Sequence, residues 1–142
     1  MSTTATFDQM SAQMDAKNDI YLKIKTTCFE LIDALNKDVR NAALAHTQKT
    51  SRTFTNLNLA SLEFIVDSTS ETSYHRIMCN NKSNGESWIH CFIDKTSGSV
   101  YAVSPYQQPR RTRKILYNVK IVSQRIEMLA KADWRGNYLR KR

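Results

Sequence analysis

Apolar residues early in the chain recur at steps of three or four, the spacing of one face of an α-helix. Polar residues such as Lys23 and Lys37 fall on the opposite side. The pattern predicts an amphipathic helix over about residues 19–48, preceded by a flexible lead over residues 1–17. The apolar face suits a sheet or a second copy of the helix, and a sheet is favoured because a coiled coil needs a longer repeat. The residues of the stripe are Tyr21, Ile24, Cys28, Leu31, Leu35, Val39 and Ala42.

The middle of the chain changes to the alternation of apolar and polar residues that is typical of β-strands. The strongest loop signals are NNKSNGE and KTSG, where Gly98 can adopt the positive φ of a tight hairpin. A helix followed by an antiparallel meander predicts a single α+β domain over residues 18–142. The four candidate strands are residues 62–68, 74–79, 87–94 and 99–104.

Both prolines of the chain lie in one stretch, PYQQPRRTRKILYNVK. Pro105 ends the fourth strand, since proline cannot donate to the ladder, and Pro109 keeps the next residues extended. Helical spacing then resumes and predicts a basic amphipathic helix within about residues 113–135, with Gly136 as its stop. The apolar stripe of this helix is Ile115, Val119, Val122, Ile126 and Leu129. Its predicted outer face carries Arg113, Lys120, Lys131 and Arg135.

The charge of the chain is concentrated near its C-terminus. The net charge is +8, and residues 108–142 contain 11 of the 21 Lys and Arg but only 2 of the 13 Asp and Glu. Such an asymmetry predicts a polyanionic partner, either nucleic acid or an anionic membrane surface. A basic tail that only aids solubility is the alternative.

Aromatic residues are interleaved with these cations. Cations that meet phosphates, beside rings that stack on bases, are typical of proteins that bind single-stranded nucleic acid. Tyr101, Tyr117 and Trp134 also lie near the basic region, and each aromatic ring is open to either stacking on a base or packing against the sheet. The predicted contact residues are Arg110, Arg111, Arg113, Lys114, Lys120, Lys131, Arg135, Arg140, Lys141, Arg142, Tyr106 and Tyr138.

The sequence therefore predicts a small nucleic-acid-binding protein whose binding is salt-sensitive and largely independent of sequence. One alternative is a self-assembling structural protein, such as a minor virion component, that associates through its N-terminal helix. Another is a module whose basic face meets an acidic host protein. DNA and RNA are not distinguished.

No known catalytic or phosphate-loop motif occurs, so neither an enzyme nor a cofactor is predicted. Cys28, Cys79 and Cys91 lack metal-ligand spacing, and we expect them to be free thiols in a core, in a reducing compartment. His90 and Cys91 are neighbours on a predicted strand, where they would point to opposite faces and not form a nucleophile pair. Asp94 is interpreted as a hairpin residue.

The segment CFIDKTSGSVYAVSPYQQPRRTRKILYN resembles a recurring C-terminal segment of small uncharacterised phage and virus proteins. In that segment, F-V-D-K-T-x-G-x-V-Y leads into a linker with proline and cations and an R-x-N ending. The resemblance covers about a fifth of the chain. It implies a viral or phage origin and no activity, since no chemistry is assigned to those proteins. The matching positions are Phe92, Asp94, Lys95, Thr96, Gly98, Val100, Tyr101, Ser104, Pro109, Arg113 and Asn118.

The N-terminus has no basic and apolar leader, and no apolar run approaches the roughly 20 residues that span a bilayer. We therefore expect no signal peptide and no membrane span. The expected location is the cytoplasm or nucleus of a host cell, or a virion.

Overall fold

The computed structural model of the chain describes residues 3–49, 59–69, 71–110 and 115–140. The fold is α+β, as predicted: a long helix, an antiparallel sheet and a shorter C-terminal helix. The elements are α1 (Thr3–Lys49), β1 (Leu62–Asp67), β2 (Tyr74–Asn81), β3 (Ser87–Asp94), β4 (Ser99–Tyr101), β5 (Tyr117–Asn118) and α2 (Val122–Lys131).

Helix α1 packs on one face of the sheet through the predicted stripe. Ile24, Cys28, Leu31, Leu35 and Val39 are buried in the main core with side chains of the strands. The helix begins at Thr3, so the start predicted near residue 19 was too late. The polar first residues contain no Gly or Pro and are rich in Ala, Met and Gln, which favour a helix even without an apolar face.

The sheet has five strands in chain order, not four, and every neighbouring pair is antiparallel. The edge strand β1 is attached to α1 by one side chain. Asn36 Oδ1 accepts a hydrogen bond from the Phe64 backbone N–H at 2.7 Å, and its Nδ2 donates to the Phe64 carbonyl at 3.1 Å. The amide thereby takes the place of a further strand at this edge.

The region predicted as the start of the C-terminal helix is extended instead. Leu116 N–H donates to the Val100 carbonyl at 3.3 Å and Val119 N–H to the Gly98 carbonyl at 2.9 Å, so this segment completes the sheet. Its β-branched and aromatic residues favour a strand once the β4 edge is available. Helix α2 therefore begins at Val122.

The predicted apolar stripe of that helix is correspondingly wrong in part. Ile115, Val122 and Ile126 are exposed, and the side chain that α2 buries completely is Met128. Of the four cations predicted on the outer face, Lys131 lies in α2, Lys120 and Arg135 lie outside it, and Arg113 is outside the described residues.

Between β4 and β5 the chain forms a narrow excursion over residues 102–110, the tip loop. Val103 and Pro109 form an isolated antiparallel bridge, and Arg110 N–H donates to the Ala102 carbonyl at 2.9 Å. Strand β4 ends at Tyr101, three residues earlier than predicted. Tyr106, in the middle of the tip loop, is 85% exposed.

The register of β2 and β3 shifts between Ile77 and Met78, which pair with Cys91 and Ile89. His90 is thus an extra residue on β3, as in a β-bulge, and strict alternation fails there. Its ring packs edge-on against Phe64 of the main core at 5.1 Å between centroids. The prediction that His90 and Cys91 face opposite sides of the sheet was therefore wrong.

Candidate nucleic-acid interface

A cavity of about 430 Å³ lies where β4 separates from β3. Strand β3 pairs with β4 only at Phe92 and Ile93 in the described ladder, so its first half borders the cavity. The segment after α2 closes the opposite side. We call this cavity the arginine–tryptophan pocket; its described lining is Trp88, Ile89, His90, Ala102, Val103, Arg110, Leu116, Trp134, Arg135, Gly136, Leu139 and Arg140.

Three arginines from two separate parts of the chain line this pocket. Arg110 is half-buried at the base of the tip loop, whereas Arg135 and Arg140 are exposed on the C-terminal segment. None of the described lining residues is acidic. The pocket therefore presents a local excess of positive charge beside a concave surface, which suits a phosphate group.

Both tryptophans of the chain line the same pocket. Trp88, at the start of β3, is 36% exposed. Trp134 is half-buried; its backbone N–H donates to Asp38 Oδ2 of α1 at 2.8 Å, and the Arg135 guanidinium lies 5.3 Å from its ring centre. One face of Trp134 is thus already in contact with a cation, and Trp88 is the more accessible ring.

A hydrogen-bonded row of rings begins at His90, which lines the pocket, and continues to Tyr138 and Tyr117. His90 Nε2 and the Tyr138 hydroxyl are 2.8 Å apart, and the Tyr117 hydroxyl donates to the Tyr138 carbonyl at 3.0 Å. Burial lowers the pKa of His90 to about 4, although the Asp133 carboxylate opposes this, and burial raises the pKa of Tyr138. At neutral pH His90 therefore borders the pocket as an uncharged ring.

The turn after α2 brings two of the arginines to the pocket. Gly136 has φ of 79°, in the left-handed region that favours glycine. A Cβ at this position would lie 3.5 Å from His90 Cε1, so the backbone runs close to the ring. Asp133 Oδ1 accepts the Asn137 N–H at 2.8 Å and holds the turn.

The predicted contact residues divide into several groups. Arg110, Arg135 and Arg140 meet at the pocket, and Tyr106 projects from the loop beside it. Lys120 and Lys131 are exposed elsewhere; Lys131 pairs with Glu127 at 3.3 Å, and Lys120 borders a hollow between the two helices. The predicted contact cations that lie outside the described residues are Arg111, Arg113, Lys114, Lys141 and Arg142.

Tyr138 was predicted to contact nucleic acid, but it is buried and its hydroxyl is held by His90. Tyr117 is also buried, and Tyr101 packs edge-on against Tyr74 at 6.1 Å between centroids. Large rings in amphipathic positions find core partners more readily than an isolated sequence pattern reveals.

Sequence reasoning missed Trp88 and His90 as part of the site. Both stand in a strand whose alternation assigned them to one face, with no sign of the bulge that redirects them. No local sequence pattern links residues 88 and 134, because the tertiary fold alone brings the two tryptophans to one pocket.

The cysteines and Asp94, the other reactive groups considered from the sequence, have structural roles among the described residues. The three cysteines are free and buried, as expected, and burial raises the pKa of Cys28 to about 12 and of Cys79 to about 11. Asp94 Oδ1 accepts the N–H groups of Thr96 and Ser97, which confirms its place in the hairpin turn. No group of metal-ligating side chains occurs in the described parts of the chain. No described helix is both long and apolar enough for a membrane crossing.

Residues 7–141 match the family of unknown function DUF7717, and the chain belongs to that family. No curated protein and no solved structure matches the chain. The family has no assigned activity. The viral or phage origin implied by the segment over residues 91–118 stays a prediction.

Proposed function

We propose that this member of DUF7717 binds single-stranded nucleic acid through the arginine–tryptophan pocket and the adjoining tip loop. The observation that carries the proposal is the convergence of Arg110, Arg135 and Arg140 around a cavity that also contains both tryptophans. Recognition of the phosphate backbone and of base faces makes such binding largely independent of sequence.

The charge of the pocket favours an anionic ligand. Three arginines line one cavity, and none of the described lining residues is acidic. A phosphate offsets this positive charge and accepts paired N–H groups from arginine. Further cations at residues 111–114 and 141–142 follow the pocket arginines directly in the sequence, and they add to the attraction of a polyanion.

The aromatic residues favour unpaired bases over duplex. Trp88 presents a partly exposed ring in the pocket, and Tyr106 presents a more exposed ring on the tip loop. A base must leave its stack and its pair before it can stack on such a ring. A duplex offers phosphates to the arginines but no free base faces.

The proposal is tested by the affinity for a labelled strand of about 12 nucleotides and for the matching duplex, measured by fluorescence anisotropy. We expect the strand to bind at least about tenfold tighter, and Tyr106→Ala to weaken strand binding by about fivefold or more, since stacking contributes roughly 1–3 kcal/mol per base. Leu44→Ala, which removes an exposed side chain of α1, is the control. Equal affinity for strand and duplex in the parent would contradict the proposal.

Self-association is a second candidate, and a separate observation favours it. Ile20 of α1 and Val122 of α2 border one hollow, with both side chains exposed. The cations Lys23, Lys120 and Arg125 line the same hollow. Leu22, Ile121 and Ile126 are exposed as well. An apolar surface of this kind is suited to a second copy of the chain, so that nucleic-acid binding and assembly would use different faces.

A further inference from the structure

The arginine–tryptophan pocket is a half-open cavity whose size suits one small ligand. Its walls come from three separate segments: the start of β3, the base of the tip loop, and the turn around Gly136. His90 lines the pocket and is hydrogen-bonded to the buried Tyr138. Its volume of about 430 Å³ lies within the range of roughly 300–1,000 Å³ that is typical of small-molecule sites.

The polar and aromatic groups of the pocket match the two ends of a nucleotide. Trp88 offers an accessible ring, while Trp134 is already in contact with Arg135. Arg110 and Arg140 supply cations from the tip loop and the C-terminal segment. A planar base and a phosphate on one small molecule satisfy both features at once.

His90 adds a polar group at the base end. Its Nε2 is bound to the Tyr138 hydroxyl, and His90 lines the pocket. Because burial holds the pKa of His90 at about 4, the ring meets a ligand as a neutral hydrogen-bonding group at neutral pH. It therefore suits the edge of a base better than a second phosphate.

We propose that the pocket binds one unpaired nucleotide as a discrete ligand, with the base on Trp88 and the phosphate between Arg110 and Arg140. The inference rests on the proposed function and deepens it. It predicts that the protein binds free nucleoside 5′-monophosphates in addition to strands, with one molecule per chain.

Tryptophan fluorescence gives a direct readout, because the only two tryptophans of the chain both line the pocket. The intact chain is titrated with each of the four ribonucleoside 5′-monophosphates, with the corresponding nucleosides and with inorganic phosphate. We expect saturable quenching by at least one monophosphate, with a Kd of about 1 mM or lower. Its nucleoside should bind at least about tenfold more weakly, since the two arginine contacts are lost. Phosphate alone should leave the fluorescence unchanged.

Variants then locate the ligand. In Trp134→Phe the remaining Trp88 signal should still be quenched, and in Trp88→Phe the quenching should fall to less than half. Arg110→Ala with Arg140→Ala should raise the Kd for the monophosphate by about tenfold or more, whereas Lys37→Ala with Lys82→Ala should not change it. If a variant fails to fold, the titration of the parent protein with the four monophosphates still tests the proposal.

The outcomes separate this inference from the proposed function. If oligonucleotides bind but none of the four monophosphates quenches the fluorescence, the inference is wrong and the proposed function stands. If neither binds, both fail. A monophosphate that binds without displacing a labelled strand would show that strands bind elsewhere, and would contradict the proposed function alone.

Discussion

Single side chains account for much of the expected acid sensitivity of this protein. Burial lowers the pKa of both His75 and His90 to about 4, and His75 Nε2 has no hydrogen-bond partner among the described residues. An unfolded histidine has a pKa near 6.5 and takes up its proton first as the pH falls. The free energy of unfolding should therefore decrease between about pH 6.5 and pH 4, and it should be insensitive to these groups above that window.

Urea unfolding at pH 7 and pH 5 measures this effect. We expect a loss of about 2 kcal/mol for each of the two histidines over this interval. His75→Gln and His90→Gln should each reduce the difference between the two pH values, whatever they do to stability at pH 7. An unchanged free energy of unfolding from pH 7 to pH 5 would show that neither histidine is held neutral by the fold.

Among individual residues, the sequence pointed to the pocket arginines and to Tyr106 but not to Trp88. Arg110, Arg135 and Arg140 follow from the charge distribution, because buried unpaired cations are too costly for a core. Trp88 depends on the register shift at Ile77, which is decided by packing between two strands. Residue propensities and the alternation of apolar and polar residues do not reveal how two strands pack, so they cannot predict a β-bulge.

The hydrogen bonds between helix α1 and the edge strand β1 lead to a prediction about stability. Asn36→Ala removes both hydrogen bonds to Phe64 and should lower the free energy of unfolding by about 1–3 kcal/mol. Asn36→Asp should also destabilise the fold, because a carboxylate cannot donate to the Phe64 carbonyl. Asn41→Ala, an exposed change on the same helix, is the matched control. Equal stability of the Asn36 and Asn41 variants would exclude this role.

The elements differed in how far the sequence determined them. Helix α1 was predictable because its apolar spacing and its burial agree over many turns. Strand β5 has two residues and exists because the β4 edge offers Gly98 and Val100 as partners. The residues before Val122 have spacing compatible with a helix, and the tertiary pairing overrides it.

The described residues form two separate surfaces: the cationic arginine–tryptophan pocket, and an apolar surface around Ile20 and Val122 that Lys23, Lys120 and Arg125 also border. Self-association through the apolar surface predicts a mass above 16.4 kDa by light scattering at concentrations of tens of micromolar. The double variant Val122→Lys and Ile126→Lys should return the mass to that of one chain and leave strand binding intact. A parent protein that is monomeric at those concentrations would remove self-association from consideration.

The cationic surface carries the central claim, and the salt dependence of binding tests it most directly. The slope of log affinity against log salt concentration is measured for the parent, for Arg110→Ala with Arg135→Ala and Arg140→Ala, and for a control that replaces Lys23, Lys37 and Lys82 by Ala. Because each phosphate contact contributes roughly 0.7 to 0.9, the pocket variant should flatten the slope by about 2 to 3. The control, which removes the same charge from exposed sites outside the pocket, should change it by less than about 1. A folded pocket variant with the slope of the parent would contradict the account.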